Sequence, residues 1–156
     1  MKLSQIVKRG AIVPRLASPL RDEVVAQLID ALISSGSADA SIRQELINRV
    51  LERERRGSTG FGKGVAVPHV KHPSVRQIAA AIGLAPAGVD FSALDRQPVY
   101  TVFLVLSPED RPDDHLHAME VIFKHLSQET FRRFLRQAAS VDDVVTLIEE
   151  SDGPMP

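Results

Sequence analysis

The order of apolar and polar positions divides the chain into two helices, a group of strands and three further helices. Leu20, Val24, Val25, Leu28, Ile29, Leu32 and Ile33 recur at the spacing of one helix face. Ser18 as N-cap and Pro19 as first helical residue predict the start, and Ser35-Gly36-Ser37 the end. A second stripe, Ile42, Leu46, Ile47, Val50 and Leu51, runs to a stop at Gly57. The period then changes. Val65-Ala66-Val67 is a short strand closed by Pro68, and Ile78 to Leu84 is a strand of small residues. The turn-rich segment PAGVDFSALDRQP separates it from Val99 to Leu106, a nearly continuous run of β-formers. Such a run predicts a central strand covered on both faces. Ser107 to Pro112 reads as a polar turn, and Asp113 or Asp114 as the cap of a helix with the stripe Leu116, Met119, Ile122, Phe123 and Leu126. Ser127 breaks it and starts a helix carrying Phe131, Phe134 and Leu135. Ser140 and Asp143 resemble a capping box before Val144, Val145, Leu147 and Ile148. This order predicts one α/β domain over residues 4–150, helices covering a central sheet, and a frayed tail at 151–156.

Composition narrows the function more than the fold. A chain of 156 residues with 44% hydrophobic and 25% charged residues is that of an ordinary globular domain. Net charge is -1, and the 19 basic residues are scattered, which argues against a general nucleic-acid partner. No apolar run is long enough to span a bilayer, and MKLSQIVKRGAIVP has no continuous apolar segment of a secretory signal. Cysteine is absent, which removes disulfides, thiol catalysis and Cys-ligated zinc, and agrees with a cytoplasmic setting.

The stretch RGSTGFGKGVAVPH, Arg56 to His69, carries the chemistry. Gly57 to Lys63 fits the nucleotide-loop pattern G-x-x-x-x-G-K. That loop needs a strand before it, a helix after it and a hydroxyl for magnesium at its end. Here a helix precedes it, GVAVP cannot begin a helix, and the magnesium position is Gly64. The nucleotide reading fails on all three. Gly57, Gly60, Gly62 and Gly64 still permit unusual backbone, and they deliver the chain to Pro68-His69, which points to a shaped surface around that histidine.

Five histidines compete for roles: His69, His72, His115, His117 and His125. His115 and His117 point about 200° apart on a helix, so they do not chelate one ion, and no other ligand pattern supports a metal. His72, His117 and His125 read as ordinary satisfied or surface side chains. His69, fixed by Pro68 in open glycine backbone, is a candidate nucleophile for a phosphoryl group. His115, in the first turn of a predicted helix, is its candidate helper, because free N–H groups and the helix dipole there favour an anion. Arg53 is a candidate phosphoryl-oxygen ligand. Its phase matches Ile42 and Leu46, although Glu54 shares a similar phase and the LERERR end also reads as solvated.

GSTGFGKGVAVPH resembles the phosphohistidine signature of the type-2 enzyme IIA domains of the bacterial phosphotransferase system, the fructose, mannitol and nitrogen-regulatory branch. The resemblance extends through LERERRGSTG, GVDFSALDRQPVYTVFLVLSPED, DDHLHAMEVIFKHL and FRRFLRQAASVDDVVTLI, about Ser4 to Glu150. It implies the type-2 IIA fold, a mixed central sheet flanked by helices. It implies phosphorylation of His69, stabilisation of the phosphoryl group or imidazole by His115, and an active-site arginine at Arg53, sixteen positions before the signature histidine. It also implies an HPr-type donor and a IIB component or regulatory target as recipient, with no cofactor, nucleotide or metal. Val70 stands where many members have glycine, and Asp95-Arg96 replaces a usual Asp-Gly, departures that bear on partner fit. GSTGFGKG is most like the nitrogen-regulatory GSTGIGNG, so a standalone regulatory carrier is expected. A sugar-transport IIA component and a binding module gated by His69 phosphorylation are the alternatives.

Overall fold

Val99–Pro108, the run of β-formers, becomes the middle strand of a six-stranded mixed sheet. The computed structural model describes residues 1–153. In chain order these form α1 (Leu3–Ile6), β1 (Val7–Val13), α2 (Arg21–Ser34), a 3-10 turn (Ala40–Ile42) and α3 (Arg43–Arg56). Next come β2 (Gly60–Gly62), β3 (Val65–Ala66), β4 (His69–His72), β5 (Ala79–Val89) and β6 (Val99–Pro108). The chain closes with α4 (Pro112–Leu126), α5 (Glu129–Gln137) and α6 (Val141–Ser151). The strand order is β1-β5-β6-β3-β2, with β4 also on β6. β5 runs antiparallel to β6, whereas β3 and β4 run parallel to it.

Alternation along β6 explains the layers. Val102, Leu104 and Leu106 join the core under α2 and α3, and Phe103 and Val105 join the one under α4, α5 and α6. All five are fully buried, so β6 carries no polar face. β3 and β4 occupy consecutive stretches of one edge of β6, Val65 opposite Thr101 and His69 opposite Val105. Val67-Pro68 is the break between them, and His69 opens the second strand instead of following the end of the first.

Several boundaries differ from expectation for local reasons. α2 begins at Arg21, because Ser18 Oγ accepts from Leu20 N–H in a turn before the helix. Pro112, not an aspartate, leads α4; Asp113 and Asp114 lie inside its first turn. α5 begins at Glu129, with Gln128 in the N-cap position rather than Ser127. Ser140 does cap α6, accepting from Asp143 N–H, but Asp143 returns its bond to Ala139 N–H. β5 passes through Pro86 into the expected turn, because the register with β6 shifts between Leu84 and Val89, where a missing N–H is tolerated. Ser151 closes α6, and the Asp152 carboxylate accepts from Leu3 N–H and Ser4 N–H at 2.9 and 3.1 Å. The last residues of the expected tail, 154–156, lie outside the described residues.

Candidate phosphoryl-transfer site

The break at Val67-Pro68 sets the position of His69, the candidate nucleophile. Pro68 has no N–H, and its carbonyl accepts from Val105 N–H of β6 at 2.9 Å. The Val67 carbonyl is left to face the side chain of His69, 3.1 Å from Nδ1. A carbonyl only accepts, so the His69 proton resides on Nδ1. Nε2 therefore keeps its lone pair, and the ring is half-buried.

His115 reaches the same place from the first turns of α4. The two imidazole centroids are 5.5 Å apart and the planes are inclined by 52°. Nδ1 of His115 lies 2.6 Å from Oγ of Ser107 on β6. Burial pushes the His115 pKa down to about 4, helped by the charge of Lys71 and then by His69. The expected helix effect is thus not the leading cause of its neutrality. Lys71 lies two residues beyond His69 on β4, so the two side chains share one face of the strand. The opposite face is structural: Val70 enters the core, and buried His72 accepts from Ser74 N–H and sits 3.1 Å from Glu45. His125 is also buried, with Nδ1 2.9 Å from the Val121 carbonyl, while His117 is exposed.

The neutral form of His115 has a consequence for stability. Its unfolded pKa lies near the ordinary histidine value of 6.5 and its folded one at about 4. The unfolded chain therefore binds more protons between these values, and stability falls as pH drops through that window. Solvent screening moderates the size, since the ring is only half-buried. Thermal midpoints measured from pH 7 to 4 should fall more steeply for the natural chain than for His115→Asn. Parallel curves would contradict a neutral folded His115.

Among the described residues Arg53 makes no hydrogen bond to either histidine. It is exposed, and its Nη1 donates to the Gly57 carbonyl at 2.7 Å. Glu54 is the buried neighbour: its carboxylate accepts from Thr59 N–H at 3.1 Å and from the Thr59 hydroxyl, tying the glycine loop to α3. Of two residues with similar helical phase, the acidic one took the inward position.

Three of the glycines build a hairpin and do not wrap His69. Gly62, Lys63 and Gly64 turn β2 into β3 at φ of 111°, 61° and 78°. A Cβ on Gly60 would lie 2.9 Å from Ala93 Cβ, and one on Gly64 3.0 Å from the Tyr100 ring. Gly57 is nearly fully extended at φ 167° and needs no special freedom. Gly64→Ala is expected to cost about 1–3 kcal/mol in chemical denaturation, from the strained φ and the ring contact together. A change below a few tenths would show that the hairpin relaxes freely.

Ser107, Lys71 and the Val67 carbonyl are the parts that sequence reasoning did not single out. Only the alternation from His69 to Lys71 offered a signal. Neither histidine lines the clefts of about 490 and 750 Å³ beside α5. Among the described residues no His, Asp and Glu cluster is arranged to hold a metal ion, and no helix is long and apolar enough to cross a membrane.

Comparison with known proteins identifies the family and the fold. Residues 5–151 match the family model described as "Phosphoenolpyruvate-dependent sugar phosphotransferase system, EIIA 2". The chain is 32% identical over 152 residues to the fructose-specific EIIABC component of Bacillus subtilis, covering 97% of this chain but 24% of that protein. It is 35% identical over 112 residues to the nitrogen regulatory protein of Escherichia coli, 70% of this chain and 68% of that one. The crystal structure of IIA-Ntr from Neisseria meningitidis superposes with a TM-score of 0.83 at 27% identity, covering 94% and 98% of the two chains.

Proposed function

The chain belongs to the type-2 EIIA family of the phosphotransferase system, and on that premise we propose that it is a cytoplasmic phosphocarrier that accepts a phosphoryl group on His69 from an HPr-type carrier protein. The observation that carries the reading is the pairing of a His69 ring, whose Nε2 has no hydrogen-bond partner among the described residues, with a neutral His115 ring whose centroid lies 5.5 Å away. In the transfer, the nitrogen–phosphorus bond of the donor breaks and its electron pair stays on the donor nitrogen. The lone pair on His69 Nε2 forms the new bond to phosphorus. The Val67 carbonyl, accepting from Nδ1–H, stabilises the positive charge that the ring then carries. His115 donates to a phosphoryl oxygen, and Lys71 contributes a nearby positive charge. Arg53 would have to leave the Gly57 carbonyl to add its fork of donors.

A protein donor suits the open site. Leu116, next to His115, is 59% exposed, and Phe123, about two turns along the same face of α4, is 39% exposed and stacks edge-on with Phe61. A protein surface can cover such apolar side chains where a small phosphate ester would leave them wet.

The nitrogen-regulatory branch is the favoured setting. It rests on GSTGFGKG and on the Escherichia coli and Neisseria meningitidis relatives. In that setting the phosphorylation state of His69 gates binding to a target protein. A sugar-transport role, passing phosphate to a IIB component, is supported by the fructose-specific relative that spans 97% of this chain. Incubation with a phosphorylated HPr-type carrier tests the common step. The chain should acquire label that is labile in acid and stable in alkali. A chain that stays unlabelled while a known IIA control is labelled overturns the reading. Target capture by only one of the phosphorylated and unphosphorylated forms then favours regulation, and transfer onward to IIB favours transport.

A further inference from the structure

We propose that Ser107 is a positioning residue for the phosphoryl site: its buried hydroxyl donates to Nδ1 of His115 and so holds the proton of that ring on Nε2. The inference rests on the reading of His69 as phosphoryl acceptor and assigns a role within it to a residue outside the histidine signature.

The placement follows from the sheet. Ser107 lies opposite Lys71 in the β4–β6 register, two residues past Val105, which lies opposite His69. With a period of two, Ser107 faces the same side as Val105 and Phe103, the side covered by α4. Its side chain therefore meets His115 from beneath. Ser107 is fully buried, and its Oγ stands 2.6 Å from His115 Nδ1.

The direction of this bond can be deduced. Among the described residues, His115 Nδ1 is the one hydrogen-bond partner of the Ser107 hydroxyl. A buried O–H must place its proton on an acceptor or lose the bond outright. The lone pair of Nδ1 is the acceptor at hand. A neutral imidazole has one proton, so accepting at Nδ1 puts it on Nε2. That nitrogen then presents a donor to an incoming phosphoryl oxygen. In the opposite tautomer it would present a lone pair, which repels an anionic oxygen. The hydroxyl thus selects the useful one of two neutral forms, as a second partner does for a metal-bound histidine. A serine that merely fills space would leave the two tautomers to mix.

The test uses the whole chain and two variants, Ser107→Ala and Ser107→Thr. Long-range ¹H–¹⁵N correlation on the unphosphorylated protein reads the tautomer of His115 directly. The natural chain and Ser107→Thr should show Nε2–H alone, and Ser107→Ala a mixture. Labelling by the phosphorylated carrier should slow about 3- to 10-fold in Ser107→Ala, the range for losing one neutral hydrogen bond, and recover in Ser107→Thr. An Nδ1–H or mixed His115 in the natural chain overturns the proposal, as does an unchanged tautomer in a folded Ser107→Ala. If Ser107→Ala does not fold, the tautomers of the natural chain and Ser107→Thr decide. The spectra need no phosphoryl group, so failure of the natural chain to label defeats the carrier reading while the spectra still judge Ser107.

Discussion

His69→Ala should abolish labelling by a phosphorylated HPr-type carrier, a loss on the order of 10³-fold or more, because it removes the atom proposed to bond phosphorus. No neighbour replaces it. His115 is neutral, but its Nδ1 faces Ser107 at 2.6 Å and is not open to a donor. His72 is buried, with Nδ1 engaged by Ser74 N–H. His125 is buried with its Nδ1 against the Val121 carbonyl. His117 is exposed but lies two residues along α4 from His115, about 200° around the helix, so it points away from the site. The fold should survive the change. His69 is half-buried, and alanine loses one side-chain bond, to the Val67 carbonyl. Unfolding midpoints within a few degrees of the natural chain would show that the loss is chemical. Label that persists in His69→Ala but disappears in His115→Ala would exchange the roles of the two rings.

Parts of the fold and of the candidate site are legible in the sequence, and physical reasons separate them from the rest. Val99 to Leu106 announced a strand buried on both faces, since it carries no charge and Thr101 is a β-former, and it is the middle of the sheet. The stripes of α2 and α3 were equally readable, because each helix has one apolar side. β1 was not. Its register shifts between Val7 and Ile12, which spoils the period of two, and Lys8, Arg9 and Gly10 dilute its apolar content. The stripe of α4 misled in part: Ala118, Ile122 and Leu126 are buried, whereas Leu116 and Phe123 remain exposed. Apolar spacing identifies a face without saying whether it meets the core or a partner.

The same limit applies to the chemistry. Pro68-His69 and the helix carrying His115 could be found from residue types and local spacing. Glu54, Ser107 and Lys71 could not, because their importance depends on which strand lies beside which. Ser107 becomes significant only when β4 pairs with β6 and α4 folds over that edge. The glycines show the converse. Their crowding before His69 invited a role at the phosphoryl group, yet Gly60, Gly62 and Gly64 meet Ala93, Asp95 and Tyr100. They set the hairpin that brings β3 to β6, and β3 in turn places His69 at the start of β4.

His115→Ala is expected to slow phosphoryl acceptance about 10- to 100-fold while leaving His69 the labelled residue, the scale of one hydrogen bond to a charged group. The pH dependence distinguishes how His115 acts. With its pKa at about 4, the free protein carries a neutral ring through the ordinary working range. The rate under limiting donor reports the free protein, so the ratio of natural to variant rates should stay level from about pH 5.5 to 8. A ratio that climbs as pH falls through about 6.5 would mean that imidazolium is the working form. After transfer the situation changes, because a phosphoryl anion beside the ring favours its protonated form. His115 can then supply a stronger, charge-assisted bond to the product than it offered the incoming group. The phosphorylated natural chain should therefore hold its label longer than phosphorylated His115→Ala, with the gap widening at lower pH. Equal lifetimes at every pH would leave His115 as packing beside the nucleophile and remove it from the chemistry.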